Sequence, residues 1–138
     1  MARHILSIVA FVGATFVTQA ISHFAVNTEH YAAVPYLRRE PIFSLGVAAM
    51  LIQGAILSYL YVPLRSRYGT EAAAVKFAWL AGAFLLSYTA LAEAAKYTVP
   101  AIGSWIVVEV VAGFVQFTLY GVLLGLVYRQ TRPKAIAP

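Results

Sequence analysis

Apolar residues in this chain come in four long blocks rather than in alternation with polar ones. The blocks run from about Ile5 to Val26, Ile42 to Leu64, Val75 to Lys96 and Ser104 to Tyr128. A bilayer core of roughly 30 Å takes about 20 apolar residues at 1.5 Å per residue, and each block reaches that length. Barrel strands would be shorter and would alternate apolar with polar, whereas these blocks are continuous and rich in Ala, Leu and Gly, which predicts helices. Breakers fall between them: Pro35 and Pro41, then Gly69 and Thr70, then Pro100 and Gly103. Pro41 has the place of a first-turn proline, and Thr70 or Glu71 suits the start of the third helix. The pattern predicts an all-α integral membrane protein, an up-down-up-down bundle of four transmembrane helices. It forms a single membrane domain over 1–138, with a flexible tail at 129–138.

Composition agrees and narrows the class. The chain is 62% hydrophobic and 11% charged, against about 45–50% and 25% in soluble domains, so no soluble domain is expected. With no cysteine, disulfide scaffolds and thiol chemistry are excluded. Ten basic residues against five acidic ones give a net charge of +5, but they are dispersed, so nucleic acid is not an expected partner. Their placement orients the bundle. Arg3, Arg65, Arg67, Lys76, Arg129, Arg132 and Lys134 fall on one side, Arg38, Arg39 and Lys96 on the other. By the positive-inside rule both termini are cytoplasmic, N-in and C-in, in a bacterial-type inner membrane. A rival reading takes residues 1–20 as a cleaved signal peptide ending in Thr18-Gln19-Ala20, although the apolar run continues from Ile21 to Val26. A register placing Gln53 over Gln116 gives a faint internal echo of the kind seen in duplicated transporters.

Small residues at four-residue steps permit close helix approach in lipid. Gly54 with Ser58, Ala78 with Gly82 and Gly121 with Gly125 form such a packing seam. It would serve the bundle itself or a contact with a second copy or a larger membrane protein. Each span also carries a polar stripe. The first has Thr15, Thr18, Gln19, Ser22 and His23, the second Gln53, the third Thr89, Glu93 and Tyr97, the fourth Glu109, Gln116 and Tyr120. The economical arrangement turns these stripes inward to bond one another.

Ionisable residues inside a span are costly and usually have a partner or a task. His23 lies near the outer end of the first block, Glu93 near that of the third, and Glu109 near that of the fourth. Counting residues puts all three roughly 6–8 Å inside the external boundary. With Gln19 and Gln116 they make a candidate intramembrane cluster for a proton or cation, with Glu29 and His30 in the external loop as auxiliaries. Paired carboxylates beside an imidazole suit proton exchange, divalent-metal ligation or general-base chemistry. The metal question stays open, and no residue is assigned as catalytic. No cofactor is favoured. A haem between helices wants two histidines at one depth, and only His23 qualifies. HExxH, P-loop, GxGxxG and G-x-S-x-G motifs are absent from the sequence.

Three functions follow from these residues. The first is a non-enzymatic accessory or scaffold subunit acting through helix packing. The second is a proton- or cation-linked small transporter using the His/Glu/Glu cluster. The third is a membrane-embedded enzyme acting on a lipid or quinone-like substrate.

Overall fold

The computed structural model describes residues 1–38, 40–68 and 71–129. Arg39, Gly69, Thr70 and the tail from residue 130, with Arg132 and Lys134, lie outside the described residues. The helices are α1 (Ala2–Ile21), α2 (Thr28–Ala32), α3 (Phe43–Tyr68), α4 (Glu71–Leu86), α5 (Glu93–Lys96) and α6 (Ile102–Tyr128). Two wider, π-helical turns interrupt them, Ser22–Val26 after α1 and Ser87–Ala92 between α4 and α5. Joined through these turns, four helical stretches are long and apolar enough to cross a membrane: Ala2–Val26, Phe43–Arg65, Glu71–Lys96 and Ile102–Tyr128. Their outward faces are apolar, with Phe84 79% and Leu80 74% exposed, as a lipid-facing surface requires. This is an all-α protein whose four long helices are consistent with a transmembrane bundle.

The third stretch begins at Glu71, one of the two starts expected for its helix and ahead of the apolar block at Val75, because Glu71 and Lys76 lower the local hydropathy without interrupting the helix. Pro41 stands just outside α3 rather than in its first turn. The first helical acceptor is Ile42 O, which takes Leu45 N and Gly46 N at 3.1 and 3.3 Å.

The middle of the bundle belongs to α6. In its most apolar stretch 44% of residues are buried, against 22% in each of the other three. It packs between α1 and α4, while α3 lies on the other side of α1 and touches α4 less. Small residues make the α4–α6 contact. A Cβ added at Gly121 would lie 2.8 Å from Val75 Cα, and one at Gly82 would lie 2.6 Å from the Phe117 ring. Ala74 and Ala78 are fully buried there. With no hydrophobic drive between helices in lipid, this close approach supplies the dispersion that holds them. Gly54 packs on Ile8 and Phe11 of α1, and Gly125 on Glu71 and Ala74.

The interior is layered. At the end holding both helix α1's start and helix α6's finish (the terminal end), His4 Nδ1 lies 2.9 Å from Ser58 Oγ, which lies 3.4 Å from Tyr128 OH. Ser7 Oγ and Tyr120 OH, both buried, are also 3.4 Å apart. Above them comes an aromatic layer. Phe11 meets Tyr120 edge-on at 5.1 Å between centroids and Phe117 at 6.2 Å. Beyond that layer polar groups resume, and at the opposite (loop) end a second small core gathers Tyr31, Val34, Val99 and Trp105. Removing residues 1–20 would take Ser7, Phe11, Ala14 and Thr18 out of the interior.

Candidate functional site

The site at the loop end is built by the way the first span ends. Asn27 closes the π-helical turn, donating its backbone N–H to Ser22 O at 2.8 Å and its side-chain Nδ2 to Ser22 Oγ at 3.0 Å. Such local bonding from a short amide side chain competes with helix continuation. Asn27 O then accepts Tyr31 N at 3.1 Å and opens α2. The single turn that follows folds Tyr31 back over the end of the span it has just left. Its ring stacks on His23 with centroids 3.7 Å apart and planes 10° from parallel. The Tyr31 hydroxyl donates to Glu109 Oε1 at 2.9 Å. The two sequence candidates His23 and Glu109 are thus joined through Tyr31.

The protons in this group can be assigned from the acceptors. Tyr31 gives its hydroxyl proton to Glu109, so Ser22, 3.4 Å away, donates to the Tyr31 oxygen over a long bond. Ser22 in turn receives Asn27 Nδ2. The string of donors ends on Glu109. His23 Nδ1 lies 3.1 Å from Gln19 O, and because a carbonyl only accepts, Nδ1 carries the proton. The lone pair of a neutral His23 is therefore on Nε2, on the far edge of the ring. Deeper in, Gln19 Nε2 donates to Gln116 Oε1 at 2.9 Å and Gln116 Nε2 to Thr15 Oγ1 at 3.0 Å.

The remaining candidates stand around this core. Glu93 interacts electrostatically with Glu109 and Lys96, and its side chain is half-buried, with no hydrogen bond among the described residues. Glu109 also acts on His23. His30 stacks on the Trp105 ring at 5.9 Å, has Nδ1 3.4 Å from Ser104 Oγ, and buries Nε2 with no hydrogen-bond partner among the described residues. Glu29 is exposed. Among the described residues no group of three or more His, Cys, Asp or Glu stands where it could hold a metal ion. Burial pushes the Tyr31 phenol well above its ordinary range; Ser22 opposes the shift and Glu109 adds to it. Partial desolvation also raises the phenol of the exposed Tyr36, helped by Glu93, Tyr97 and Glu109. The second π-helical turn borders the same region. Ser87 Oγ donates back to Phe84 O at 2.7 Å where that turn begins, and Thr89 O accepts Trp105 Nε1 at 3.1 Å.

Two cavities meet at His23. One, of about 350 Å³, is a groove between α1 and the first half of α3, lined by Thr15, Phe16, Gln19, Val47 and Met50 among others. The other, of about 880 Å³, lies beyond the span ends beside Thr28, Tyr31, Tyr36 and Arg38. Both are lined by His23, Phe24 and Pro41.

Tyr31, Trp105 and Asn27 were not among the residues the sequence singled out for the site. The Asn27–Tyr31 spacing, one helical turn directly after a span, was the available signal. Gln53, expected to face inward, is half-buried without a hydrogen bond among the described residues, and Ser58 instead joins α3 to the terminal-end network. Compared with known proteins, the chain matches no family model, and comparison with curated proteins and with solved structures likewise finds no match.

Proposed function

We propose that this small multi-pass membrane protein binds an amphipathic lipid- or quinone-like molecule reversibly, without making or breaking a bond. The observation that carries this reading is the junction of the two cavities at His23. The groove lies within the span region, between apolar side chains suited to a tail. The larger cavity lies past the span ends and has polar side chains suited to a head group. Both volumes fall in the range of about 300–1,000 Å³ usual for small-molecule sites, which are mostly apolar with a few placed polar groups. The excess of basic residues at the terminal end supports an outward-facing loop end, and in that orientation the ligand would enter from the outer leaflet.

The test uses the protein in nanodiscs with Trp79→Phe, which leaves Trp105, one ring beyond Tyr31, as the reporter. A decyl-substituted benzoquinone should quench Trp105 saturably. Gly46 lines the groove, and a Cβ there meets nothing within 4 Å. Gly46→Phe should therefore fill the groove, weaken binding at least about tenfold and leave the far-ultraviolet circular dichroism unchanged. Quenching that never saturates, or that Gly46→Phe leaves alone, would refute the proposal.

A second reading, the accessory subunit, draws on one observation. Residues 43–49 at the start of α3 are all exposed, so a partner's helix would find a free face there. Recovery of one stoichiometric membrane partner with the intact protein, lost in a variant of that face, would favour it.

A further inference from the structure

We infer that the cleft selects an amphiphile whose head is an aromatic ring bearing a hydroxyl, a quinol or long-chain phenol, over the same ring without an O–H. The inference rests on the amphiphile-binding reading above and adds the chemistry of the head group. It follows from where the protons of the cluster are already committed. His23 Nδ1–H is held by Gln19 O at 3.1 Å. The other tautomer would set a nitrogen lone pair against that carbonyl, so Nε2 is kept as an acceptor. The hydroxyl protons of Tyr31 and Ser22 are spent within the cluster, on Glu109 and on Tyr31. The cleft floor at His23 therefore presents an acceptor. Donors at the mouth, Thr28, Tyr36 and Arg38, are exposed and solvated, and the groove residues Thr15 and Gln19 are both engaged with Gln116. A carbonyl head would have to strip water from those mouth donors, whereas a hydroxyl head finds an unused acceptor beside the tail groove.

The ring follows from the walls. One face of the His23 imidazole is taken by Tyr31 at 3.7 Å, and the Phe24 ring stands 6.3 Å away, tilted by 51°. Phe24 lines both cavities and Tyr36 the outer one. A flat head can lie against these rings while its O–H reaches Nε2, and offset or edge contacts of this kind favour aromatic groups. An aliphatic alcohol would satisfy Nε2 and leave the rings unused.

Competition against the quenching decyl-benzoquinone separates these cases, with ligand amounts expressed per lipid. The competitors are 4-decylphenol, its methyl ether 4-decylanisole and 1-decanol, none of which needs a redox reagent. One hydrogen bond predicts that decylphenol displaces the probe at about tenfold lower loading than decylanisole. In His23→Leu the two should fall within about twofold of each other. Decanol should be weaker than decylphenol. Equal displacement by phenol and ether in the unmodified protein overturns the inference while leaving the amphiphile reading standing. Decanol matching decylphenol overturns its aromatic part. Failure of the quinone itself to bind saturably removes the reading on which it rests. Should His23→Leu not fold, nitrogen-15 NMR of the histidines in the unmodified protein decides instead. The His23 Nε2 resonance should move with decylphenol but not with decylanisole, and a resonance unmoved by either overturns the inference.

Discussion

Replacing Gly121 by Ala should destabilise the bundle by about 2 kcal/mol, and the same change at Gly125 should stabilise it. The added Cβ at Gly121 would sit 2.8 Å from Val75 Cα, 3.0 Å from Ala78 Cβ and 3.4 Å from Ala74 O. Carbon atoms in contact prefer about 3.5–4.0 Å, so α4 and α6 must part by up to about 1 Å. The nearest obstacle is backbone and cannot swing aside. A gap of that size forfeits a quarter to a half of the dispersion at each neighbouring contact. Overpacking costs about 1–3 kcal/mol, and a backbone obstacle argues for the upper end. Alanine returns about 1 kcal/mol through helix propensity, which leaves the net near 2 kcal/mol. At Gly125 the nearest atoms are Glu71 Cα and Cβ, both at 3.5 Å, which is ordinary contact. There only the propensity term remains, a gain of about 0.5–1 kcal/mol. Reversible unfolding in mixed micelles, followed by circular dichroism, measures both variants against the parent. Equal effects at the two positions, or a stabilising Gly121→Ala, would show that α4 and α6 do not hold each other through this contact.

Gln116→Leu removes the bonds to Gln19 and Thr15. At about 0.6 kcal/mol per interhelical bond this should cost about 1 kcal/mol in the same unfolding assay; a loss above about 3 kcal/mol would mean that the two bonds do not act as separate pairs. The Tyr31 phenol is raised, chiefly by burial, above an unfolded value near 10. The folded state then holds that proton more tightly than the unfolded state. Its contribution is fully present below pH 10 and is lost as pH rises toward the folded value. Tyr31→Phe should remove this part of the alkaline destabilisation, and the tyrosinate absorbance should lose one late-titrating component. An unchanged alkaline profile in the variant would contradict the buried position of the phenol.

The four long helices were legible because a bilayer demands one property, apolar length, that a sequence displays directly. The start of α4 at Glu71 was legible from its helix-start signal and not from hydropathy, since the charges of Glu71 and Lys76 lower hydropathy at positions where the backbone is already helical. Helix α2 spans five residues, too few for periodicity to register. The π-helical turns depend on Asn27 and Ser87 bonding locally to nearby groups, which no hydropathy window detects. Depth counting put His23 and Glu109 at one level, and both interact with Tyr31. Tyr31 itself was hidden because its role arises when the chain turns back on its own span. Shared depth is a one-dimensional property. Which groups at that depth touch is decided by α2 and by the order of helices around α6.

The aromatic layer of Phe11, Phe117 and Tyr120 bears on traffic. Phe11 and Tyr120 are each 0% exposed and Phe117 is 3% exposed. They stand between the groups around His23 and those around Ser7 and Ser58. Water needs two to four polar partners to occupy an interior position; the rings offer it none, and the one hydroxyl of the layer, on Tyr120, is engaged with Ser7 on the terminal side. The two polar regions are therefore separate rooms with a dry wall between them. A proton or ligand that reaches His23 from the loop end has its easiest exit by the same door.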